Sequence, residues 1–163
     1  MTSSQLPIRS AVRGLLLDRH DRVLMVKMAP LHADWVGWIL PGGGIEANED
    51  HQTALKRELH EETGLVDAFV GPVVCKRRQI SPEILPGYGG QEESIYLVPC
   101  RDFELAPALS IEELRAEGII DMRWFTVNEV RASEERMVPE YLDELLDRVL
   151  EFGGSVDPMV IEL

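Results

Sequence analysis

Three consecutive glycines, Gly42, Gly43 and Gly44, separate a short apolar segment from a glutamate-rich stretch with helical spacing. The apolar segment, Trp38-Ile39-Leu40, is predicted to be a strand that Pro41 ends. Glycine has no Cβ atom, so the backbone here can approach a ligand or a metal ion closely. The sequence therefore predicts a strand-to-helix turn whose backbone atoms face a bound group.

The stretch that follows the glycines is predicted to be a helix. Asn48 is the expected N-cap, and Glu49 and Asp50 suit the positive end of the helix dipole. Gly64 is a natural C′ residue after Glu61-Glu62-Thr63. The predicted helix thus carries most of the glutamates of this region.

Three glutamates of this helix lie on one side. Glu61 and Glu62 follow Glu58 by three and four positions, spacings that place their carboxylates next to one another. Like charges at these spacings destabilise a helix and raise each other's pKa. Arg57 offsets part of the repulsion, and a divalent cation held by oxygen ligands offsets it directly. The alternative is a solvated acidic face, but the adjacent glycine turn favours a ligand site.

The rest of the chain is predicted to contain mainly strands, with one further helix at its end. The predicted elements are a hairpin of Ile8–Leu17 and residues 22–28, strands at residues 69–80, 94–100 and Ile119–Phe125, a long strand-free loop at 106–118, and a helix at 142–150 that ends before Gly153-Gly154. This order predicts one mixed α/β domain over residues 1–163, with helices covering a sheet.

Composition limits the possible partners. The chain has 16 Lys and Arg residues against 29 Asp and Glu residues, a formal net charge of −13. Such an excess of carboxylates repels a nucleic acid polymer, whereas a small anionic substrate can still bind through metal ions. Residues 1–9 lack a signal-peptide pattern, and no apolar run reaches the roughly 20 residues that span a bilayer. We therefore expect a cytoplasmic protein without membrane contact.

Cysteine and histidine residues do not indicate a site. Cys75 and Cys100 lie in apolar stretches, and we expect them to be buried reduced thiols rather than a disulfide or zinc ligands. The histidines share no metal-ligand spacing and are expected to be surface residues: His20, His32, His51 and His60.

The glycine and glutamate residues form a longer pattern of fixed spacing. It consists of Gly43, Glu49, Arg57-Glu58-Leu59, Glu61-Glu62, Gly64 and Leu65, with five residues between Gly43 and Glu49 and seven between Glu49 and Arg57. This pattern resembles the complete Nudix box of the Nudix hydrolase family, and the chain looks like its MutT-like members. The hairpin, the Leu40-Pro41-Gly42 entry and the Arg123-Trp124-Phe125 strand are also similar to the family, so the resemblance covers most of the chain.

The resemblance implies a Nudix-type α/β/α sandwich with a mixed sheet. It also implies divalent-metal-dependent hydrolysis of the pyrophosphate bond of a nucleoside diphosphate linked to a moiety X. Glu58, Glu61 and Glu62 resemble the metal ligands, with Mg²⁺ or Mn²⁺ as the cofactor, and Gly42 resembles the glycine whose carbonyl completes the metal shell. Arg57 resembles the residue that orients Glu58, and Glu49 matches a position that braces the loop and helix.

The general base remains open between the box helix and the loop at 106–118. Glu117 resembles a late glutamate of MutT-like members, and it is the preferred candidate because Gly118 follows it; Glu112 and Glu113 compete with it. We therefore predict Arg57, Glu58, Glu61 and Glu117 as catalytic residues.

Contacts to the substrate are less determined. Lys76, Arg77 and Arg78 are candidates for binding its phosphates, the alternative being a solvated sheet edge. Trp35, Trp38 and Tyr88 are candidates for stacking on a base, although Trp38, like Trp124, is expected in the core. The moiety X is left open among a nucleotide sugar, ADP-ribose, a damaged dNTP and a dinucleoside polyphosphate, and a homodimer also stays open. A catalytically silent nucleotide-sensing module is the alternative function, although such modules usually carry a degraded glutamate set.

Overall fold

The structure, a computed structural model, describes residues 5–83, 85–155 and 157–163. The first four residues of the N-terminal segment considered above lie outside this range. The strands of the described residues are β1 (Ile8–Leu17), β2 (Val23–Met28), β3 (Gly37–Ile39), β4 (Gly42–Gly44), β5 (Val73–Gln79), β6 (Gly90–Pro99), β7 (Ile119–Phe125), β8 (Met137–Val138) and β9 (Met159–Glu162). The helices of the same residues are α1 (His51–Thr63), α2 (Ile111–Ala116), α3 (Val127–Ala132) and α4 (Leu142–Phe152).

Strand β1 organises the sheet. It pairs with β2 and β4 in the antiparallel direction and with β6 in the parallel direction. The main strand order is β8-β3-β2-β1-β6-β5-β9, with β4 joined to β1 and β7 joined to β2. The predicted hairpin of β1 and β2 and the predicted mixed sheet are therefore confirmed.

Apolar side chains cover both faces of this sheet. On one face Leu55 and Leu59 of α1 pack against Val12 and Leu16 of β1. On the other face the apolar stripe of α4, which the sequence predicts, packs against Leu15 and its neighbours. The two clusters place helices on both sides of the sheet, which confirms the predicted α/β/α sandwich.

Helix α1 begins two residues later than the sequence suggests. Asp50, not Asn48, is the N-cap, because its side chain accepts a hydrogen bond from the Thr53 amide at 2.7 Å. Asn48 instead has a φ of 66° and belongs to the preceding loop. Gly64 ends the helix in the left-handed conformation, with φ 81°, as predicted.

Two segments predicted to lack regular structure are partly regular. The glycine segment is not a turn but strand β4, whose three residues pair with residues 11–13 of β1. The predicted loop at 106–118 contains helix α2, in which Ser110 and Glu113 form a capping box. Thr126 and Glu129 form a second capping box at the start of α3. In each pair the glutamate follows the Ser or Thr residue by three positions, and this spacing is the signal from which the sequence could have predicted both short helices.

Several side chains lie where the sequence predicts them. Cys75 and Cys100 are buried free thiols, and the four histidines are exposed. Trp38 is buried and makes an edge-to-face contact with Phe125, at 4.9 Å between ring centroids; Trp124 is only half-buried. Among the described residues, no helix is long and apolar enough to cross a membrane.

Candidate active site

A cavity of about 880 Å³ opens beside strand β4. Its walls include Gly42 and Gly43, the α1 side chains of Glu58 and Glu62, and Glu117 at the end of α2. The structure therefore brings together most of the residues that the sequence singles out. Four of the predicted site residues lie outside the cavity lining: Arg57, Glu61, Lys76 and Arg78.

Strand β4 has no side chains, and this lets Glu58 approach it. A Cβ atom at Gly43 would lie 2.6 Å from Glu58 Oε1, closer than real contacts allow. Glu58 is 9% exposed, and burial raises the pKa of its carboxyl group while Glu61 adds to that rise and Arg57 opposes it. Any side chain at position 43 would displace this carboxylate.

Glu62 is the most buried of the box carboxylates. It is 5% exposed, and its Oε2 accepts a hydrogen bond from the Gly42 amide at 3.1 Å. Burial raises the pKa of Glu62 to about 8, and the charges of Glu58 and Glu117 contribute to the rise, whereas Arg13 and the Gly42 amide oppose it. A carboxylate in this position favours either a proton or a nearby cation.

Arg57 ties the loop before α1 to the helix. Its guanidinium donates to both carboxylate oxygens of Glu49, at 2.8 and 3.2 Å, and to the Gly44 carbonyl at 3.1 Å. It also donates to Glu58 Oε1 at 3.0 Å and lies 3.6 Å from a carboxylate oxygen of Glu61. These contacts match the bracing and orienting arrangement that the family resemblance implies for Glu49 and Arg57.

Glu117 reaches the cavity because α2 is anchored to the end of α1. The Ala106 and Leu109 amides donate to the carbonyls of Thr63 and Glu61, at 2.9 and 3.1 Å. Glu117 follows α2 and is exposed at the cavity wall, where partial burial together with Glu58 and Glu61 raises the pKa of its carboxyl group. The competing Glu112 and Glu113 do not line the cavity, and Glu113 is engaged in the capping box.

The donor chemistry fits a hard divalent cation. Carboxylate and carbonyl oxygens are the ligands that Mg²⁺ prefers. Burial is the main cause of the raised pKa values of Glu58, Glu62 and Glu117, and neighbouring carboxylates add to the rise, which a bound cation would offset. Among the described residues no three Asp, Glu, His or Cys side chains converge on one point at metal-ligand distance. Arg57 pairs with two of the carboxylates, those of Glu58 and Glu61.

The wall formed by the sheet carries a polar network that the sequence did not reveal. Arg13 donates to the carbonyl of Gly42 and to Glu93, both at 2.9 Å. Glu93 also accepts from Arg77 at 3.1 Å and from Gln91 at 2.9 Å. These residues lie on β1, β5 and β6 and line the cavity. Arg77 belongs to the basic cluster named from the sequence, and a charged or polar side chain within a strand is what marks the others.

The three side chains of the basic cluster at 76–78 lie on opposite faces of β5, because side chains alternate between the two faces along a strand. Arg77 is buried and lines the cavity, but Glu93 and Glu140 pair with it. Lys76 and Arg78 are exposed and lie outside the cavity lining, and Arg78 pairs with Glu92. The alternative of a solvated sheet edge is correct in part: Lys76 and Arg78 are exposed to solvent, but β5 is not an edge strand because β9 pairs with its outer side.

One aromatic candidate for base stacking faces the cavity. Trp35 lines it, and the Arg136 guanidinium lies over the indole at 5.1 Å from the ring centroid. Trp38 is in the core, and Tyr88 lies outside the cavity lining. The loop between β2 and β3 therefore supplies the aromatic part of the wall.

The chain is similar to known proteins in both sequence and structure. A family model of the NUDIX domain matches residues 7–148. The chain belongs to the Nudix hydrolase family. The predicted family and its enzyme class, a hydrolase, are thereby confirmed.

Individual relatives support this membership. A "MutT-like protein" of Streptomyces ambofaciens is 30% identical over 92% of this chain and 83% of its own length. An "RNA pyrophosphohydrolase" of Acidiphilium cryptum is 41% identical over 63 residues, and the match spans only 38% of each chain. In structure, the chain is similar to the Nudix domain of Shewanella oneidensis NrtR complexed with ADP ribose, with a TM-score of 0.64, 18% identity, and 93% and 92% of the two chains covered. The structural likeness supports the fold.

Proposed function

We propose that this Nudix protein hydrolyses a phosphoanhydride bond of a nucleoside diphosphate linked to a second moiety, with a divalent metal ion as cofactor. The observation that carries the proposal is the convergence of three carboxylates, those of Glu58, Glu62 and Glu117, on one cavity beside the Gly42 backbone. Carboxylates with raised pKa values in a cleft are typical of catalytic sites.

The carboxylates of Glu58, Glu61 and Glu62 and the carbonyl oxygen of Gly42 would hold Mg²⁺, or Mn²⁺ in its place. When bound, the ion supplies charge neutralisation at the phosphates and lowers the pKa of a water molecule. Arg57 holds the Glu58 carboxylate in position through its own contacts with Glu49. Arg13 fixes the Gly42 carbonyl by a hydrogen bond, and this oxygen keeps a second lone pair for a ligand.

Glu117 is the proposed general base. The oxygen of a water molecule forms a bond to phosphorus, the phosphoanhydride P–O bond breaks, and the Glu117 carboxylate accepts the proton that the water loses. Its raised pKa makes it a stronger proton acceptor than an ordinary carboxylate. Arg57 pairs with Glu58 and Glu61 but not with Glu117, so the Glu117 carboxylate is not held by this arginine.

A small molecule suits the cavity better than a polymer does. The volume of about 880 Å³ lies within the range of small-molecule sites, and the net charge of −13 opposes a long phosphate backbone. The Acidiphilium cryptum relative carries the name of an RNA pyrophosphohydrolase, and the Nudix domain of NrtR binds ADP ribose. We propose that the substrate resembles ADP ribose more than RNA and is a dinucleotide-like or sugar-linked diphosphate.

The direct test is a substrate panel with Mg²⁺ or Mn²⁺. It contains ADP-ribose, nucleotide sugars, 8-oxo-dGTP, a dinucleoside polyphosphate and a 5′-triphosphorylated RNA, with release of monophosphate or phosphate as the measurement. The Glu58→Gln variant is the matched control for contaminating hydrolases. Turnover of a small substrate by the wild-type protein alone supports the proposal. Tight binding of a nucleotide without turnover would instead favour the sensing module, and preference for RNA would contradict the assigned substrate class.

A further inference from the structure

Arg9 is a cationic side chain of the cavity to which neither the sequence pattern nor the proposed mechanism assigns a role. It lies near the start of β1, is half-buried, and lines the same cavity as Glu58. Its guanidinium packs over the glycine strand, because a Cβ atom at Gly44 would lie 2.6 Å from Arg9 Nη2. Gly43 and Gly44 thus leave room for Glu58 and Arg9 on the two faces of β4.

The partners of Arg9 differ from those of three nearby arginines. Arg13, Arg57 and Arg77 each form at least one ion pair with a glutamate. Arg136 also lines the cavity, and its guanidinium lies over the Trp35 ring. Arg9 forms no ion pair with any residue that the structure describes, and its Nη1 donates to a neutral group, the Gln91 side-chain oxygen, at 2.6 Å. Its positive charge is therefore available to a ligand.

The surroundings of Arg9 increase the need for an anionic partner. Burial and the neighbouring Arg13 lower the pKa of Arg9, and the negative charges of Glu58 and Glu93 oppose this shift only in part, without forming an ion pair with Arg9. The nearby Glu93 carboxylate is already shared by Arg13, Arg77 and Gln91. A bound phosphate oxygen would pair with Arg9 through a charge-assisted hydrogen bond, for which guanidinium geometry is well suited.

We infer that Arg9 forms the anion subsite of the cavity, where it binds a phosphate oxygen of the diphosphate substrate, and that Gln91 holds its guanidinium in place. The inference rests on the proposed function and adds a substrate-binding residue to it. It also explains the neutral partner, because the carboxamide of Gln91 orients the guanidinium without cancelling its charge. Arg9 and Glu58 lie beside adjacent residues of β4 and line the same cavity, so metal and arginine would bind the diphosphate from different parts of one cavity wall.

The first test removes the charge with Arg9→Leu and compares it with Arg19→Leu, an exposed arginine of the β1–β2 turn that pairs with Asp102. Binding of inorganic pyrophosphate with Mg²⁺ is measured by calorimetry, since this probe does not depend on the base or on X. We expect Arg9→Leu to weaken binding by roughly 10- to 100-fold, the range of a lost charged hydrogen bond, and Arg19→Leu to leave it unchanged. Equal binding by wild type and Arg9→Leu would overturn the inference.

The second test keeps the arginine and changes its partner. In Gln91→Glu a carboxylate would pair with Arg9, so pyrophosphate binding should again weaken by about 10-fold or more. In Arg9→Lys a single ammonium replaces the planar guanidinium, and intermediate binding is expected. Melting temperatures are measured for each variant, and unchanged binding by a folded Gln91→Glu protein would overturn the claim that a neutral partner keeps the charge of Arg9 available to the ligand.

Kinetics separate this inference from the proposed reaction. With a substrate found in the panel, Arg9→Leu should raise KM by roughly 10- to 100-fold and lower kcat much less, as expected for a group that binds the ground state and transition state alike. If the wild-type protein binds pyrophosphate through Arg9 but turns over no panel substrate, the subsite stands and the proposed hydrolysis fails. If hydrolysis occurs and Arg9→Leu is silent in both assays, the hydrolysis stands and the subsite fails.

Discussion

Two charge networks meet at the cavity, and they differ in how completely their charges are paired. The sheet network consists of Arg13, Arg77, Glu93 and Glu140, two cations and two anions. Burial tends to raise the pKa of Glu140, but the hydrogen bonds from Arg77 bring it below its ordinary value. This network is balanced within the protein.

The helix network has the opposite character. Arg57 is the one cation paired directly with Glu49, Glu58 and Glu61 among the described residues, and Glu62 and Glu117 add further negative charge nearby. The pKa values of Glu58, Glu62 and Glu117 are all raised rather than lowered. The same residue types therefore build a structural network where charges balance and a cation-seeking site where they do not.

Removing one charge of the helix network should affect activity far more than stability. Glu58→Gln keeps the side-chain shape but loses a proposed metal ligand, and kcat should fall about 10³-fold or more. The unfolding free energy should change little, because a buried carboxylate with a raised pKa is replaced by a neutral group. The exposed Glu144→Gln on α4 is the control. Near wild-type turnover by folded Glu58→Gln protein would refute the assignment of Glu58.

Breaking the sheet network should mainly affect stability. Arg77→Met removes the arginine that pairs with Glu140 and one of the two arginines that pair with Glu93, and the unfolding free energy should fall by about 3 kcal/mol. The neighbouring Arg78→Met removes an exposed pair with Glu92 and should cost less than about 1 kcal/mol. Denaturant unfolding measures both. Similar losses in the two variants would mean that the contrast between buried and exposed charges is wrong.

The late loop tests how far the helix network extends. Glu117→Gln should lower kcat by roughly 10- to 1,000-fold with a small change in KM, as expected for a proton acceptor in the transition state. Glu112→Gln, on the exposed side of α2, is the matched control. If Glu112 or Glu113 is the sensitive residue, the loop supplies the base through a different side chain. If all three variants keep full activity, the base belongs to α1.

The sequence predicted the helix network better than the sheet network, and the reason is locality. The residues of the box lie within 23 positions, from Gly43 to Leu65, so their spacing on one helix shows which carboxylates are neighbours. Arg13, Arg77 and Glu93 come from three strands, and their meeting depends on the parallel pairing of β1 with β6 and the antiparallel pairing of β5 with β6. The hairpin of β1 and β2 is readable from the sequence because the two strands are adjacent in the chain, but the pairing of strands that are distant in the chain is not.

Local signals also explain the errors in the fold. Asn48 is a good N-cap residue by type, but Asp50 competes with it and makes the hydrogen bond to Thr53. The three glycines look like a turn because glycine is rare in strands, yet pairing with β1 outweighs that propensity. Arg9 carries no local signal, since its neighbours Gly44 and Gln91 are distant in the chain.

The smallest expected effect is the dependence of the melting temperature on pH and on metal ions. The pKa of Glu62 is about 8 in the folded protein against an ordinary value of 4.5, so the folded state holds the Glu62 proton more tightly than the unfolded chain does. Its contribution to stability is therefore fully present below about pH 4.5 and is lost as the pH rises through about 8. In the presence of a chelator, the melting temperature should fall over this range, and the fall should be smaller in Glu62→Gln.

Saturating Mg²⁺ or Mn²⁺ at pH 8 should reverse that loss, because a ligand that binds only the folded state raises the melting temperature by mass action. The rise is expected to be a few degrees in wild type and to shrink in Glu62→Gln, which offers the ion one charge less. Differential scanning fluorimetry with and without metal measures it, with Glu140→Gln of the sheet network as the matched variant. Glu140→Gln is expected to lower the starting melting temperature, because it breaks the pairs with Arg77, but to keep the full metal-induced rise. An equal rise in wild type and Glu62→Gln would place the bound ion away from Glu62, and a rise lost only in Glu140→Gln would place it at the sheet network instead.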